Sequence, residues 1–480
     1  MKYSTDKLET GIPCPYGGVF LSLLRTEKLN IMDLDGKTAL RRIAISLIAS
    51  LFGLLAIAQP YKSTLAADPE RAGGVFSGYV VPTDVPSKAP KGYKPFYISH
   101  YGRHGSRYHT SASLVGAAIG PLMEADSAGI LTEEGRMVAR QLDTLLSEHE
   151  GMYGMLTAKG ASEHRGIGRR MYSHYPSVFN GKGGRDEVEC VSSYWPRCLV
   201  SMANLCSGIQ ECTGGLHFTY ITGPKYLDYI SMDLDTKELG KEARKTSRKV
   251  LESLTHSGRF MCAMFKDTAR VKEFVPDALT FMDKVYTAAC ISSNTDSKPD
   301  LFSHFTTDEL YGLWAAKSDR LYYSFGISKE AGDYSSAIAK PLIADIVSKA
   351  DAAMEPGSKR AADLRFGHDV GLLPLIGTIG IKGMETRLES SRAHERFFSS
   401  EMTPMAANLQ MVFYRNRKGN VLVRLFYNEK ETCIPALKCA TGSFYRWEDL
   451  REYLINIAAA IPDDNIVKDN GGVERTGING

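Results

Sequence analysis

Apolar and polar positions follow two different periods along this chain. From Leu114 to His149, from Ala161 to Tyr175 and from Arg197 to Cys206, apolar residues return at helical spacing. Between them stand short runs rich in aromatic and β-branched residues: Phe96-Tyr97-Ile98-Ser99, Val188 to Ser192 and His217 to Ile221. These read as strands. Strand and helix patterns that alternate in this way predict an α/β core. From Asp235 to about Ala350 the pattern turns to charged amphipathic helix, clearest at Lys237 to Leu254 and Asp308 to Tyr322, and predicts a helical insertion or cap. Strand material returns with Leu409 to Tyr414, a turn at Arg417-Lys418-Gly419-Asn420, and Val421 to Tyr427, the pattern of a hairpin. A helix is expected from near Trp447 to Ala460, then a polar, flexible tail from Asp463. The boundaries expected from this pattern are a leader over 1–58, core over 59–230, an α-helical cap over 231–354, core again over 355–462, and the tail over 463–480.

One apolar run belongs to neither period. Ile43 to Ala58 is charge-free, follows Lys37, Arg41 and Arg42, and ends in the small-residue exit Ala56-Ile57-Ala58. That is the layout of a secretory signal, with cleavage expected after Ala58. The run is short of the ~20 residues a spanning helix wants, so an uncleaved anchor is the lesser alternative. The n-region is unusually long, and Met32 is a plausible true start. A periplasmic or secreted location is therefore expected, with no stable membrane span after cleavage.

Composition adds two constraints. Lys plus Arg number 58 against 55 Asp plus Glu, a net charge of +3, so nothing global points to nucleic acid. Any affinity for anions must be local. Of nine cysteines, removal of the leader takes Cys14 and leaves eight, an even number that suits an oxidising compartment. Cys206 with Cys212, and Cys433 with Cys439, are close enough for local disulfides, with reduced buried thiols as the alternative. No CxxC pair occurs, which gives thiolate zinc sites little support.

The candidate chemistry begins where the first core strand ends. His100-Tyr101-Gly102-Arg103-His104-Gly105-Ser106-Arg107 packs two guanidiniums and an imidazole into five residues, among glycines that disfavour a helix. Guanidinium forks match phosphate oxygens bidentately and stay charged. An imidazole among them can attack phosphorus. Alone, the run could equally be a basic surface turn or a non-catalytic binding loop. A metal site at His100, His104 and His109 would need a helix that the glycines remove.

A second group lies far along the chain, in Asp363-Leu364-Arg365-Phe366-Gly367-His368-Asp369, again after a strand pattern. Displacement of an alkoxide by His104 needs a proton donor at the bridging oxygen; Asp369 can be that acid and His368 a phosphate ligand. A His-Asp pair that merely caps the next helix is the competing reading. Arg197, at the start of a helix after the Val188 strand, could complete the clamp.

These three sites, in this order, resemble the histidine acid phosphatase branch of the histidine phosphatase superfamily, whose RHGxRxP motif pairs with a distant HD or HAE. Within it the chain is most similar to the multiple inositol polyphosphate phosphatases, through Leu156-Thr157-Ala158-Lys159-Gly160, Glu163-His164-Arg165-Gly166, Met405 to Gln410, Tyr427-Asn428-Glu429, Ile434-Pro435 and Tyr445 to Asp449. The resemblance implies a phosphoglycerate-mutase-like α/β core sheet flanked by helices with an inserted cap. It also implies a phosphate pocket of Arg103, His104, Arg107, Arg197 and His368, with Asp369 as proton donor. Two departures stand out. His109 occupies the position usually held by proline, and the order His368-Asp369-Val370 replaces His-Ala-Glu, as in the phytases and acid phosphatases of the branch.

The expected reaction is hydrolysis of a small-molecule phosphate monoester through a phosphohistidine on His104, with no cofactor and no metal. Inositol polyphosphates such as phytate are the expected substrates. Small sugar phosphates, or a phosphomutase using the same intermediate, are the alternative, and a binding protein that needs the arginines but not His104 is the reading from another class. Oligomeric state is not legible in the chain.

Overall fold

In a computed structural model, residues 61–181, 184–230, 237–267 and 269–462 are described. The expected leader, its cleavage point after Ala58 and the expected tail from Asp463 lie outside them. Eight strands form one sheet: β1 (Lys94–Arg103), β2 (Glu187–Ser192), β3 (His217–Thr222), β4 (Arg360–Gly367), β5 (Asn408–Arg415), β6 (Val421–Tyr427), β7 (Lys430–Thr432) and β8 (Phe444–Arg446). Their order is β3-β2-β4-β1-β5-β6-β7, with β8 also on β6. The first four run parallel, and β5 turns antiparallel against β1.

That order positions the chemistry. β1 and β4 are neighbours although most of the chain separates them, with Arg103 opposite Gly367, and Ser192 of β2 opposite Phe366. The residues that follow β1, β2 and β4 therefore emerge side by side at the carboxyl ends of parallel strands, where α/β sheets bind ligands. β1 proves longer than its apolar run. His100 to Arg103 continue the strand because the ladders to β4 and β5 take up their backbone groups, a tertiary effect that local pattern does not carry.

Nine helices matter to the argument: α1 (Glu133–His149), α2 (Ala158–His174), α3 (Pro196–Gln210), α4 (Lys237–Leu254), α5 (Ala278–Ser292), α6 (Thr307–Phe325), α7 (Gly332–Met354), α8 (Asp369–Thr378) and α9 (Trp447–Ala460). Their starts are written in the sequence. Thr132 and Thr157 cap α1 and α2, Pro196 opens α3, and Thr306 with Glu309 forms a capping box on α6. The helical pattern from Leu114 to His149 is broken before α1, where Gly129 takes a φ of 74°.

Both faces of the sheet are covered. Tyr97, Tyr101, Met411, Phe413 and Leu425 pack with α7, α8 and α9, while Ile98, Val188, Leu364, Phe366 and Val412 pack with α2 and α3. Alternate residues of one strand thus serve opposite cores. α7 lies in the stretch expected as cap, yet Leu342, Ile343, Ile346 and Val347 join the sheet core. Among the described residues no helix is long and apolar enough to cross a membrane.

The expected local disulfides do not form: all eight described cysteines are free. α3 runs on to Gln210, which keeps Cys206 on its buried face, with Sγ 3.4 Å from Cys190 Sγ, while Cys212 lies exposed past the helix end. Cys433 and Cys439 are half-buried free thiols.

Candidate active site

The loop after β1 is fastened on three sides. The Arg103 amide donates to Ala407 O and the His104 amide to Gly367 O, tying the loop to the approach to β5 and to the end of β4. The Gly105 amide donates to Ser201 Oγ of α3. Against α2 the approach is closer still. A Cβ on Gly105 would fall 2.6 Å from Gly160 O, and one on Gly160 only 2.2 Å from Ser106 O, so neither position has room for a side chain. Glu163, one turn into α2, accepts from the amide and hydroxyl of Ser106, both at 2.8 Å.

Three arginines face the space above this loop. Arg103 is 1% exposed; its Nη1 donates to Val75 O and Thr403 O, and its Nη2 lies 3.0 Å from Asp369 Oδ2. Arg107 donates to Tyr108 O and lies 5.3 Å from the centre of the Phe76 ring. Burial, then the like charges of Arg197 and Arg103, push its guanidinium down to about 9. Arg197 stands at the first turn of α3, 5.0 Å from the centre of the Trp195 ring. Among the described residues, the Nε of all three is buried without a partner. Groups so arranged are short of an acceptor, and a phosphate supplies one.

His104 is 2% exposed, and its Nδ1 lies 2.9 Å from Gly105 O. A carbonyl only accepts, so Nδ1 carries the proton and Nε2 the lone pair. Burial, then Arg103, Arg107 and Arg197, hold its pKa well below the usual histidine value, so the ring is neutral in mild acid. His368 lies edge-on to it at 5.5 Å between centroids. Ser193 Oγ at 3.1 Å and Cys198 Sγ at 3.6 Å flank its Nε2. Burial, then Arg197, push His368 down to about 3.

Asp369 opens α8, and its side chain keeps 18% exposure. Burial alone would raise its pKa, but Arg103, with His368 and Arg107 behind it, outweighs burial and holds the carboxyl below the usual aspartate value. The surrounding side chains thus favour the carboxylate, and protonation must come with acid or with an arriving anion.

All six residues singled out in the sequence, Arg103, His104, Arg107, Arg197, His368 and Asp369, meet around one space. His100 and His109 do not join them. His100 packs 5.4 Å from the Phe366 ring, and His109 Nε2 lies 2.9 Å from Thr287 O of α5. Sequence reasoning passed over Ser193, Cys198, Phe76 and the backbone carbonyls of Val75 and Thr403. Ser193 lies four residues before Arg197, but nothing local marks it as a partner of His368.

Three comparisons bear on this geometry. The family model of the histidine phosphatase superfamily, branch 2, matches residues 102–428. The multiple inositol polyphosphate phosphatase 1 of Gallus gallus is 23% identical over 428 residues, covering 81% of this chain and 86% of that one. Among solved structures, the Bifidobacterium longum multiple inositol polyphosphate phosphatase in complex with inositol hexasulfate superposes with a TM-score of 0.64 at 19% identity, over 82% of this chain and 98% of that one. The phytase from D. castellii superposes with a TM-score of 0.60 at 14% identity, over 82% and 85% of the two chains. At such identities the structural likeness establishes the fold.

Proposed function

Because the chain belongs to the histidine phosphatase superfamily, branch 2, and is a phosphatase by that membership, we propose that it hydrolyses phosphate monoesters through a phosphohistidine on His104. The observation that carries this is the neutral His104, with its Nε2 lone pair free, beneath three guanidiniums whose Nε atoms lack partners.

Arg103, Arg107, Arg197 and His368 bind the phosphate and take up charge that grows on its equatorial oxygens. His104 Nε2 attacks phosphorus in line, the bond to the ester oxygen breaks, and Asp369 gives that oxygen its proton. Water then attacks the phosphohistidine and returns a proton to Asp369, orthophosphate leaves, and His104 is again neutral. Asp369 must begin protonated while Arg103 holds it ionised. A phosphate dianion that occupies Arg103 weakens this hold, so binding itself recharges the acid.

Inositol polyphosphates are the substrates we favour, since relatives that span most of the chain carry that name. The leader puts the enzyme in the periplasm or outside the cell; N-terminal sequencing of the exported protein should begin at Gln59.

Orthophosphate release from inositol hexakisphosphate, glucose 1-phosphate and an aryl phosphate, with and without chelator, tests the proposal. Wild type quenched in alkali should carry alkali-stable, acid-labile phosphate on His104, and His104→Ala should carry none. Turnover by His104→Ala, or isomerised ester in place of orthophosphate, would overturn it.

A further inference from the structure

Cys190 of β2 and Cys206 of α3 are both fully buried, and their sulfurs lie 3.4 Å apart. A disulfide needs about 2.05 Å, so each sulfur has only ~0.7 Å to travel. The elements that carry them have little freedom. β2 is paired on both sides, with Cys190 opposite Tyr220 of β3 and Leu364 of β4. α3 sits so close on α2 that a Cβ on Gly168 would fall 2.1 Å from Leu205 O, and one on Gly208 2.2 Å from Arg165 O. Fixed backbones thus present the two sulfurs to each other. The neighbouring thiols are turned elsewhere: Cys198 Sγ faces His368 and Gly367 O, and Cys212 Sγ donates to Gly208 O.

What lies between the two cysteines gives their contact its weight. That stretch contains Ser193, which flanks His368, Arg197 of the clamp, and Ser201, whose hydroxyl accepts from the Gly105 amide. Three groups that shape the phosphate site therefore hang on one segment. A bond between its ends would make that segment a closed loop.

Buried thiols pack like small apolar groups, so contact alone is compatible with a reduced core. Burial, then the Cys206 thiol, push the Cys190 thiol up, which makes the packed pair a poor nucleophile. A bond between them has to form while the segment is still open. The two residues are 16 positions apart, a short loop to close.

We propose that Cys190 and Cys206 are joined as a disulfide in the exported enzyme, a clip that closes the segment carrying Ser193, Arg197 and Ser201. This rests on the reading of the leader as an export signal, since disulfides persist in oxidising compartments. The oxidant is a low-molecular-weight disulfide such as oxidised glutathione. One cysteine thiolate attacks it and displaces a thiolate, and the second cysteine thiolate then attacks the protein sulfur of the mixed disulfide and displaces the other. The protein gives up two protons and two electrons, and the oxidant leaves as two thiols.

Protein recovered from the periplasm or the medium, blocked with N-ethylmaleimide in denaturant and digested with trypsin, tests this. The expected product is the peptide from Asp186 to Arg197 joined to the peptide from Cys198 to Lys225, with maleimide on Cys198 and Cys212 and none on Cys206. Dithiothreitol should raise the unfolding equilibrium constant of wild type about 10²-fold, read as a lower urea midpoint, and leave C190A/C206A unmoved. Maleimide on both Cys190 and Cys206, or a link from Cys190 to Cys198 or Cys212, would overturn the clip. The peptide map of wild type decides this even where the double variant fails to fold. An enzyme found reduced in the cytoplasm, which gains the link between Cys190 and Cys206 on refolding with oxidised glutathione, would remove the export reading alone.

Discussion

The molecule holds cations in two adjoining places, and it builds them in opposite ways. In the clamp, Arg103 is buried and tied to two carbonyls and to Asp369, and the loop that carries it is stitched to β4, α2 and α3. In the cavity beside it, lined by Val75, Phe76, α4 and α6, Arg244 and Arg320 stand exposed on helix faces and, among the described residues, are tethered to no acid. Fixed donors suit a transition state, because they need not reorganise as charge develops. Untethered arginines suit recognition, because they can follow phosphates at varied positions on a ring. The difference separates what must be rigid for chemistry from what can adapt for binding.

Substitutions can sharpen or break that division. The largest effect belongs to the nucleophile: His104→Ala should lower kcat roughly 10⁴-fold or more on every substrate, read as orthophosphate release. A variant that lost only the polyphosphorylated substrate would erase the division. Next is Asp369→Asn, expected to cost about 10²- to 10⁴-fold on alkyl phosphates. Aryl phosphates, whose leaving group needs little protonation, should lose far less; equal losses would remove Asp369 from the acid role. Gly160→Ala probes rigidity, since the added methyl would collide with Ser106 O. Displacement of the loop should lower kcat by about 10²-fold on both substrate classes while the Ki of inositol hexasulfate moves less.

Smaller effects concern pH. Arg103 depresses the pKa of Asp369 in the free enzyme. The alkaline limb of kcat/KM should therefore lie at lower pH than that of kcat, where bound phosphate has weakened the hold; coincident limbs would count against this coupling. Stability should move the other way. His100, His109 and His368 have pKa values of about 3 in the fold, and His164 about 4, all through burial first. Unfolding restores them to about 6.5. The unfolded chain then binds more protons below that value, so stability is fully present above about pH 6.5 and falls as pH drops toward 3 to 4. Urea midpoints at pH 7, 5.5 and 4 should decline in that order.

Much of this site was legible because its chemistry is local in sequence. Arg103 to Arg107 and His368-Asp369 each sit where a strand stops, and strand ends can be read from pattern. The hairpin strands β5 and β6, and helices α4 and α9, also appear where the pattern places them. What escaped was relational. Thr403 O serves Arg103 from a distant loop, Ser193 meets His368 across two strands, and Cys206 faces Cys190 rather than its nearer neighbour Cys212. α7 is helical as its sequence suggests, yet only packing shows that its apolar face belongs to the sheet. Spacing reports which face of an element is apolar, and it is silent on what covers that face.

The adjacency of β1 and β4 also sets a timetable. On a ribosome that adds about 5 to 20 residues per second, roughly 13 to 50 seconds pass between the appearance of Arg103 and that of Gly367. Throughout that interval β1 lacks both the strands that will flank it, since β4 and β5 come later still. Its ladder groups stay unpaired and its loop has no carbonyls to hold the arginines. The nascent chain is thus a poor phosphate binder and slow to close its sheet, because pairings of such long sequence separation form late. An export route that threads chains unfolded would gain time from this order of synthesis.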